Sequence, residues 1–368
     1  VVSKLGFQHP QFPFPYLGAP LARGQSRCIL FDGIMDKLRR RLFSWSSKLL
    51  SMGGKIILIR HVLSSIPLYL LQVLPVPKVV LDRLGRLCNR FLWDRNSEKG
   101  IHWVSWEKVC YPTEEGGLGI RDFGDMARAF SCKLWWTLRG RDGIWADFMH
   151  TKYVRGRHPF RSTVPRPSST WKRLEVIREV AESQIRWCVG RGFVDFWWDR
   201  WLLDTPLAEF LGVEDPPHTL LAEFFCSSGW NSQRLGQILP SALVDRVVEL
   251  ELDVTVQDRM VWLPSSSGTF SVKSAWAEIR QRRNVSWVDK AAWSPTLPLK
   301  VSFFIWRLRR QLVPLDTILQ HKGVALASRC SCCGVDEETV RHVFLDGPVA
   351  RQAWTYFARQ FGLGQLMQ

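Results

Sequence analysis

Nineteen tryptophans in 368 residues set the first constraint on what this chain can fold into. Most stand in apolar or aromatic company, as in Trp135-Trp136 and Phe196-Trp197-Trp198, and side chains of that size in that company are read as core. With 46% apolar residues the chain is globular and long enough for two or three cores, since single domains run to about 100–200 residues. No apolar run reaches the roughly 18 residues of a membrane span, because the longest, Ile66 to Val80, is broken by Pro67, Pro75 and Pro77. A membrane is therefore not among the expected partners. The first residue is Val and no charged, apolar and small-residue succession of a signal peptide follows, so the start is read as internal to a longer product. Nine cysteines, an odd number and mostly isolated, point to a reducing compartment, nuclear or cytoplasmic.

The net charge of +16 is unevenly spread. Residues 1–60 carry ten Lys/Arg against Asp32 and Asp36, whereas residues 201–260 carry ten acids against three arginines. A polyanion is thus expected to meet surfaces outside the acidic middle. Apolar positions Leu30, Ile34, Leu38, Leu42 and Trp45 recur at helical spacing over Ile29–Leu50, with Lys37, Arg39, Arg40, Arg41 and Lys48 on the other face. That face is either an ordinary solvated surface or a track along a phosphate backbone. Ser51-Met52-Gly53-Gly54 breaks the pattern, and Lys55–Ser65 resumes it to complete a helical hairpin. Further helices are predicted over Pro77–Trp93, Phe123–Thr137, Ile144–Tyr153, Ser169–Ser183, Val272–Gln281 (capped by Ser271) and Leu299–Leu312. Gly190-Arg191-Gly192 between aromatic runs signals a hairpin of Ile185–Val189 with Phe193–Trp198. A second hairpin joins Met260–Leu263 to Thr269–Val272, and the Arg-, Pro- and Ser-rich stretch Arg155–Thr170 reads as a domain boundary or mobile loop. The fold class is α+β: a mainly helical N-terminal half, then hairpins and helices ending in a small zinc-knuckle-like domain.

That ending rests on Cys330, Cys333 and His342, two thiols three apart and an imidazole nine residues later, a spacing that folds round one tetrahedral zinc. The fourth donor of a C-x-x-C, H-x-x-x-x-C arrangement falls on Gly347, which has no side chain. Cys332 and Asp346 are the substitutes at hand, and a cysteine-rich turn around a partly buried histidine is the alternative to a metal site. Catalytic patterns are lacking: there is no phosphate loop with its lysine, no H-E-x-x-H, no G-x-S-x-G and no D-x-D. Gly116, Gly117 and Gly119 read as a tight turn.

Several strings, in order, resemble the C-terminal part of reverse transcriptases from plant non-LTR (LINE-type) retrotransposons. They are FPYLGAPL at Phe14–Leu21, LSMGGK at Leu50–Lys55, IPLY at Ile66–Tyr69, FLW at Phe91–Trp93 and EGGLGIR at Glu115–Arg121. The series continues with the stretch Trp187–Trp201, then GTFSVKSAW at Gly268–Trp276, KVSFFIW at Lys300–Trp306 and ETVRHVF at Glu338–Phe344. The resemblance implies a thumb-like and connector helical region over residues 1–154. It implies a linker with an aromatic hairpin and acidic middle over 155–255, and a reverse transcriptase zinc-binding-like domain over 256–368. The family's aromatic-x-Asp-Asp polymerase motif, whose carboxylates hold two metal ions, does not occur here, so no polymerase chemistry is expected of this chain, although its parent is expected to be an RNA-directed DNA polymerase. The implied function is non-catalytic binding of RNA template and DNA primer through Lys37, Arg39, Arg40, Arg41, Lys48, Lys55 and Arg60. Zinc on Cys330, Cys333 and His342 is the implied cofactor, with Gly347 where the family's last Cys belongs. The alternatives are a truncated form of an active polymerase and a host interaction module that reuses the zinc-binding domain.

Overall fold

The helix Phe123–Arg139 organises the first of two compact units, and its sequence shows why. Phe123, Met126, Ala129, Cys132, Trp135 and Leu138 recur at three-residue spacing and are all buried, with Asp125 in the first turn and Arg139 in the last. Against this face pack the helices Ser169–Glu182, Val272–Ile279 and Leu68–Val73. Two of these partners have the serine caps that define their starts: Ser168 accepts the Trp171 N–H at 3.2 Å and Ser271 the Ser274 N–H at 3.1 Å. The chain's structure is a computed structural model that describes residues 12–22, 24, 28–44, 50–93, 103–227 and 229–362. The first unit comprises residues 1–33, 67–81 and 123–281, the second residues 34–66, 82–122 and 282–368. The whole is a mainly helical α+β fold with a small C-terminal Cys/Cys/His module.

In the first unit Arg173 ties helix ends together from inside. Its guanidinium donates to the carbonyls of Leu71 (2.7 Å) and Ala127 (3.1 Å) and to Ser131 Oγ (2.7 Å). Carbonyls left over at the end of Leu68–Val73 thereby find a charged donor, a type of bond worth about 1.5–3 kcal/mol. Burial lowers the Arg173 guanidinium to about 10. Many of the tryptophans are core, as their company implied, although Trp287 and Trp354 are exposed: Trp135, Trp171 and Trp262 are fully buried in one cluster, with Tyr153 stacked on Trp171 at 4.6 Å between ring centres. A second cluster gathers Phe196, Trp197, Trp201, Phe224 and Trp230.

The strand pairings differ from the sequence expectation. Ile185–Cys188 pairs antiparallel with Arg259–Trp262, in the register Ile185 to Trp262, and not with Phe193–Trp198. The reason lies in Asp258, whose carboxylate accepts the N–H groups of Gly190 (2.7 Å), Gly192 (3.0 Å) and Phe193 (2.7 Å) and so folds the glycine segment onto itself. Asp195 does the same next door, accepting the N–H groups of Trp197 and Trp198 at 2.9 and 2.7 Å, which turns that aromatic run into capped turns. The second expected hairpin reduces to a turn, in which the Trp262 N–H donates to Gly268 O at 2.8 Å and the Gly268 N–H to Ser265 O at 3.0 Å. In the Arg155–Thr170 stretch, His158 and Ser162 are buried and Pro159–Arg161 forms a 3-10 turn.

In the second unit, Met52–Leu58 is a helix capped by Ser51, and the two glycines expected to break the pattern lie inside it. A Cβ on Gly53 would stand 2.9 Å from Leu299 Cδ2, so the glycine lets this helix approach Leu299–Arg309 closely. The Glu115–Arg121 string is a tight turn, as expected. Gly116 has φ +86, and a Cβ on Gly117 would stand 2.0 Å from the Tyr111 carbonyl oxygen. Trp306, fully buried, donates its indole N–H to Gly116 O at 2.8 Å. No helix among the described residues is long and apolar enough to cross a membrane.

Candidate metal centre

Between the helices Asp316–His321 and Pro348–Gln360 the second unit narrows to a small apolar cluster of Val313, Leu315 and Ile318, with Val340, Val343 and Phe344 packed against it. Here the chain makes a knuckle. The Cys330 N–H donates to Asp336 O at 2.7 Å and the Gly334 N–H to Cys330 O at 2.8 Å, with Gly334 at φ +67 closing the turn. His342 follows at the start of a π-helical turn, His342–Asp346, its N–H accepted by Thr339 Oγ1 at 3.0 Å. The result brings Cys330, Cys333 and His342 together, each ligand atom within 4.8 Å of the others. Cys330 is 1% exposed, and the other two are partly buried.

The donor set and its spacing fit zinc. Bond lengths of about 2.3 Å to sulfur and 2.0–2.1 Å to nitrogen put tetrahedral donors some 3.5–3.8 Å apart, and Cys333 Sγ lies 3.3 Å from His342 Nε2. The amide N–H groups of Asp336 and Val335, with a lesser part from His342, pull the Cys333 thiol down to about 7, so the thiolate that a metal needs is accessible near neutral pH. On the far side of the ring, His342 Nδ1 lies 3.5 Å from Asp336 Oδ2, a carboxylate placed to steady the ring with Nε2 toward the two sulfurs. Asp336 was not among the residues picked out from sequence, although an acid inside the Cys–His interval was the available signal.

Neither substitute fourth donor joins the cluster. Cys332 is exposed, and Asp346 pairs with Arg341. Gly347 does sit beside the site: a Cβ there would stand 3.1 Å from His342 Nε2, but also 2.4 Å from His342 O, the carbonyl to which the Gly347 N–H donates at 2.8 Å. The glycine therefore permits the tight π-turn that presents the histidine. Three protein donors leave one position of a tetrahedral ion to water or another ligand.

The expected phosphate-contacting residues divide. Lys37, Arg39, Arg40 and Arg41 are exposed on the helix Asp32–Ser44, whose opposite face buries Met35 and Leu38. Arg39 pairs with Asp36 at 3.0 Å, whereas Lys37 and Arg40 have no side-chain partner among the described residues. Lys48 lies outside the described residues. Lys55 is fully buried, its ammonium 5.8 Å from the Phe91 ring centre, because its position on the inner face of Met52–Leu58 turns it toward the core. Arg60 is half-buried and donates to the Leu118 carbonyl at 2.7 Å. These last two charges are directed inward and are not part of an exposed basic face.

Residues 270–354 match the family described as zinc-binding in reverse transcriptase, and the three assembled donors fall inside that stretch. The chain thus carries a C-terminal zinc-binding domain typical of reverse-transcriptase-associated proteins. Over 341 residues it is also 30% identical to a protein of Arabidopsis thaliana whose name makes it a candidate ribonuclease H protein, covering 88% of this chain and 55% of that one. The chain spans about half the length of the curated relative it matches.

Proposed function

We propose that this chain is a non-catalytic, nucleic-acid-binding C-terminal portion of a non-LTR retrotransposon reverse transcriptase. Its thumb-like basic helix holds the RNA template and DNA primer, and its zinc knuckle orders the C-terminal end. The observation that carries this reading is the Cys330–Cys333–His342 cluster, assembled within a stretch of reverse transcriptase zinc-binding type. Lys37, Arg39, Arg40 and Arg41 supply the phosphate contacts, since they stand exposed along one helix and two of them are uncommitted. Polymerase chemistry, on this reading, belongs to the parent RNA-directed DNA polymerase, and this chain contributes grip.

Binding of the purified chain to an RNA–DNA primer-template duplex, titrated against salt, tests the proposal. Each phosphate contact contributes about 0.7–0.9 to the log–log salt slope, so a Lys37→Ala, Arg40→Ala double variant is expected to lower it by about 1.4–1.8. An unchanged slope, or binding no tighter than that of a neutral protein at low salt, defeats it.

A further inference from the structure

The first unit contains a cavity of about 600 Å³, within the size range of small-molecule sites, and it has no part in the metal centre or the basic helix. Its lining is unusually ionic: four arginines, three aspartates and three histidines, with the aromatic rings of Trp187 and Phe193. The carboxylates are matched from within the protein. Asp199 takes the buried Arg139 guanidinium, His158 Nε2 at 3.0 Å and the Asp195 N–H at 2.8 Å. Asp195 takes His218 Nδ1 and two backbone N–H groups, and Asp258 takes three backbone N–H groups. All three anions are thus held in hydrogen bonds from neighbours.

The cations at the mouth are different. Arg141, Arg157 and Arg191 are exposed, line the same cavity, and have no side-chain partner among the described residues. Arg141 is the left-handed residue (φ +51) that closes the Phe123–Arg139 helix, where the Arg141 N–H donates to Leu138 O at 3.2 Å and the Asp142 N–H to Thr137 O at 3.1 Å, so its backbone is fixed at the edge of the cavity. Phe193 is 71% exposed on the wall, while its backbone N–H is anchored to Asp258, so a large aromatic face is presented on a fixed segment. Trp187, another wall residue, has an indole N–H without a hydrogen-bond partner.

We propose that this cavity binds a nucleoside phosphate, with Arg141, Arg157 and Arg191 taking the phosphate and Phe193 stacking on the base. Guanidinium forks match phosphate oxygens in pairs, and aromatic side chains receive any base because every base has a π-face. The ligand has two sources with this chemistry, a free nucleotide and the 5′-phosphorylated end of a single strand. The proposal is independent of the basic-helix reading, which concerns duplex backbone and different residues.

The test is calorimetric titration of the full chain with adenosine 5′-monophosphate, inorganic phosphate, and one short oligonucleotide carrying either a 5′-phosphate or a 5′-hydroxyl. Saturable binding of the nucleotide, of the 5′-phosphorylated strand, or of both is expected. Tighter binding of the phosphorylated strand than of the nucleotide identifies a strand end as the natural source, and the reverse order a free nucleotide. Arg141→Ala and Arg191→Ala should each weaken binding about tenfold or more, and Phe193→Ala should weaken nucleotide about tenfold while leaving inorganic phosphate unchanged. These side chains are exposed and uncommitted, so an unchanged thermal midpoint in each variant certifies the fold. Lys37→Ala with Arg40→Ala should leave nucleotide binding as it was, which separates this site from the duplex-binding helix. The proposal is overturned if neither nucleotide nor phosphorylated strand binds at millimolar concentration, if inorganic phosphate binds as tightly as the nucleotide, or if the arginine variants bind normally.

Discussion

An Arg139→Met variant is expected to unfold at markedly lower urea, with a loss of about 3–5 kcal/mol in the unit built on the Phe123–Arg139 helix. The side chain is 5% exposed and is shared between two carboxylates that are also buried: it donates to Glu182 at 2.6 Å and pairs with Asp199. Methionine fills similar space but deprives both buried anions of the guanidinium they share, and one charge removed is worse than the whole group removed. Adding Asp199→Asn and Glu182→Gln to Arg139→Met should therefore recover part of the loss. Trp135, which donates its indole N–H to Glu182 at 2.7 Å, keeps a partner in that triple variant. The pH dependence has a definite sign. Burial alone would raise the Asp199 carboxyl, but Arg139 and His158 outweigh it and hold it well below the ordinary carboxylate range. A carboxylate depressed in the folded state contributes stability that is complete above its unfolded value, near pH 4, and is lost as pH falls through the lower folded value. Urea midpoints taken from pH 7 down to pH 2 should fall in the acid range for the parent chain, and the part due to Asp199 should be missing in the triple variant. Equal stability of Arg139→Met and the parent would contradict this account of the core.

The second large effect is expected at the knuckle. Apart from Cys330, the segment 328–346 contributes no fully buried residue, so little apolar burial holds it in the absence of a ligand. Structural zinc binding is worth about 10–16 kcal/mol in four-donor peptides, and three donors should retain enough of this to order the segment. Chelation is accordingly expected to open it, which trypsin reports directly: Arg329 and Arg341 are exposed and flank the cluster, so cleavage after both should be slow with zinc and fast after chelator. Acid should mimic chelator, since bound metal requires Cys330 and Cys333 as thiolates and His342 neutral. Identical digestion with and without chelator would mean that the knuckle is ordered by its hydrogen bonds alone.

What could be read from the sequence was what is local. Helices with a continuous apolar stripe and a serine cap, such as Ser169–Glu182 and Val272–Ile279, are specified within their own residues, and the structure has them within a few residues of the expected ends. The metal cluster is local too, with all three donors inside a 13-residue interval in a stretch whose turns bring them together. What escaped was set by partners far along the chain. Arg259–Trp262 takes the edge of Ile185–Cys188 from about seventy residues away, and Asp258 reshapes the glycine turn that looked like a hairpin. Lys55 reads as a solvated lysine until Phe91 is placed beside it, and Gly53 reads as a helix breaker until Leu299 is. The Arg139 network draws on positions 139, 158, 182 and 199, which share no spacing that a pattern could detect.

Metal content of the purified full chain, by elemental analysis after zinc loading and removal of excess, tests the central claim most directly. The assembled donors predict about one zinc per chain for the parent and close to none for Cys330→Ser, which removes the most buried ligand. Near-zero zinc in both, or equal zinc in both, would contradict a metal centre at Cys330, Cys333 and His342.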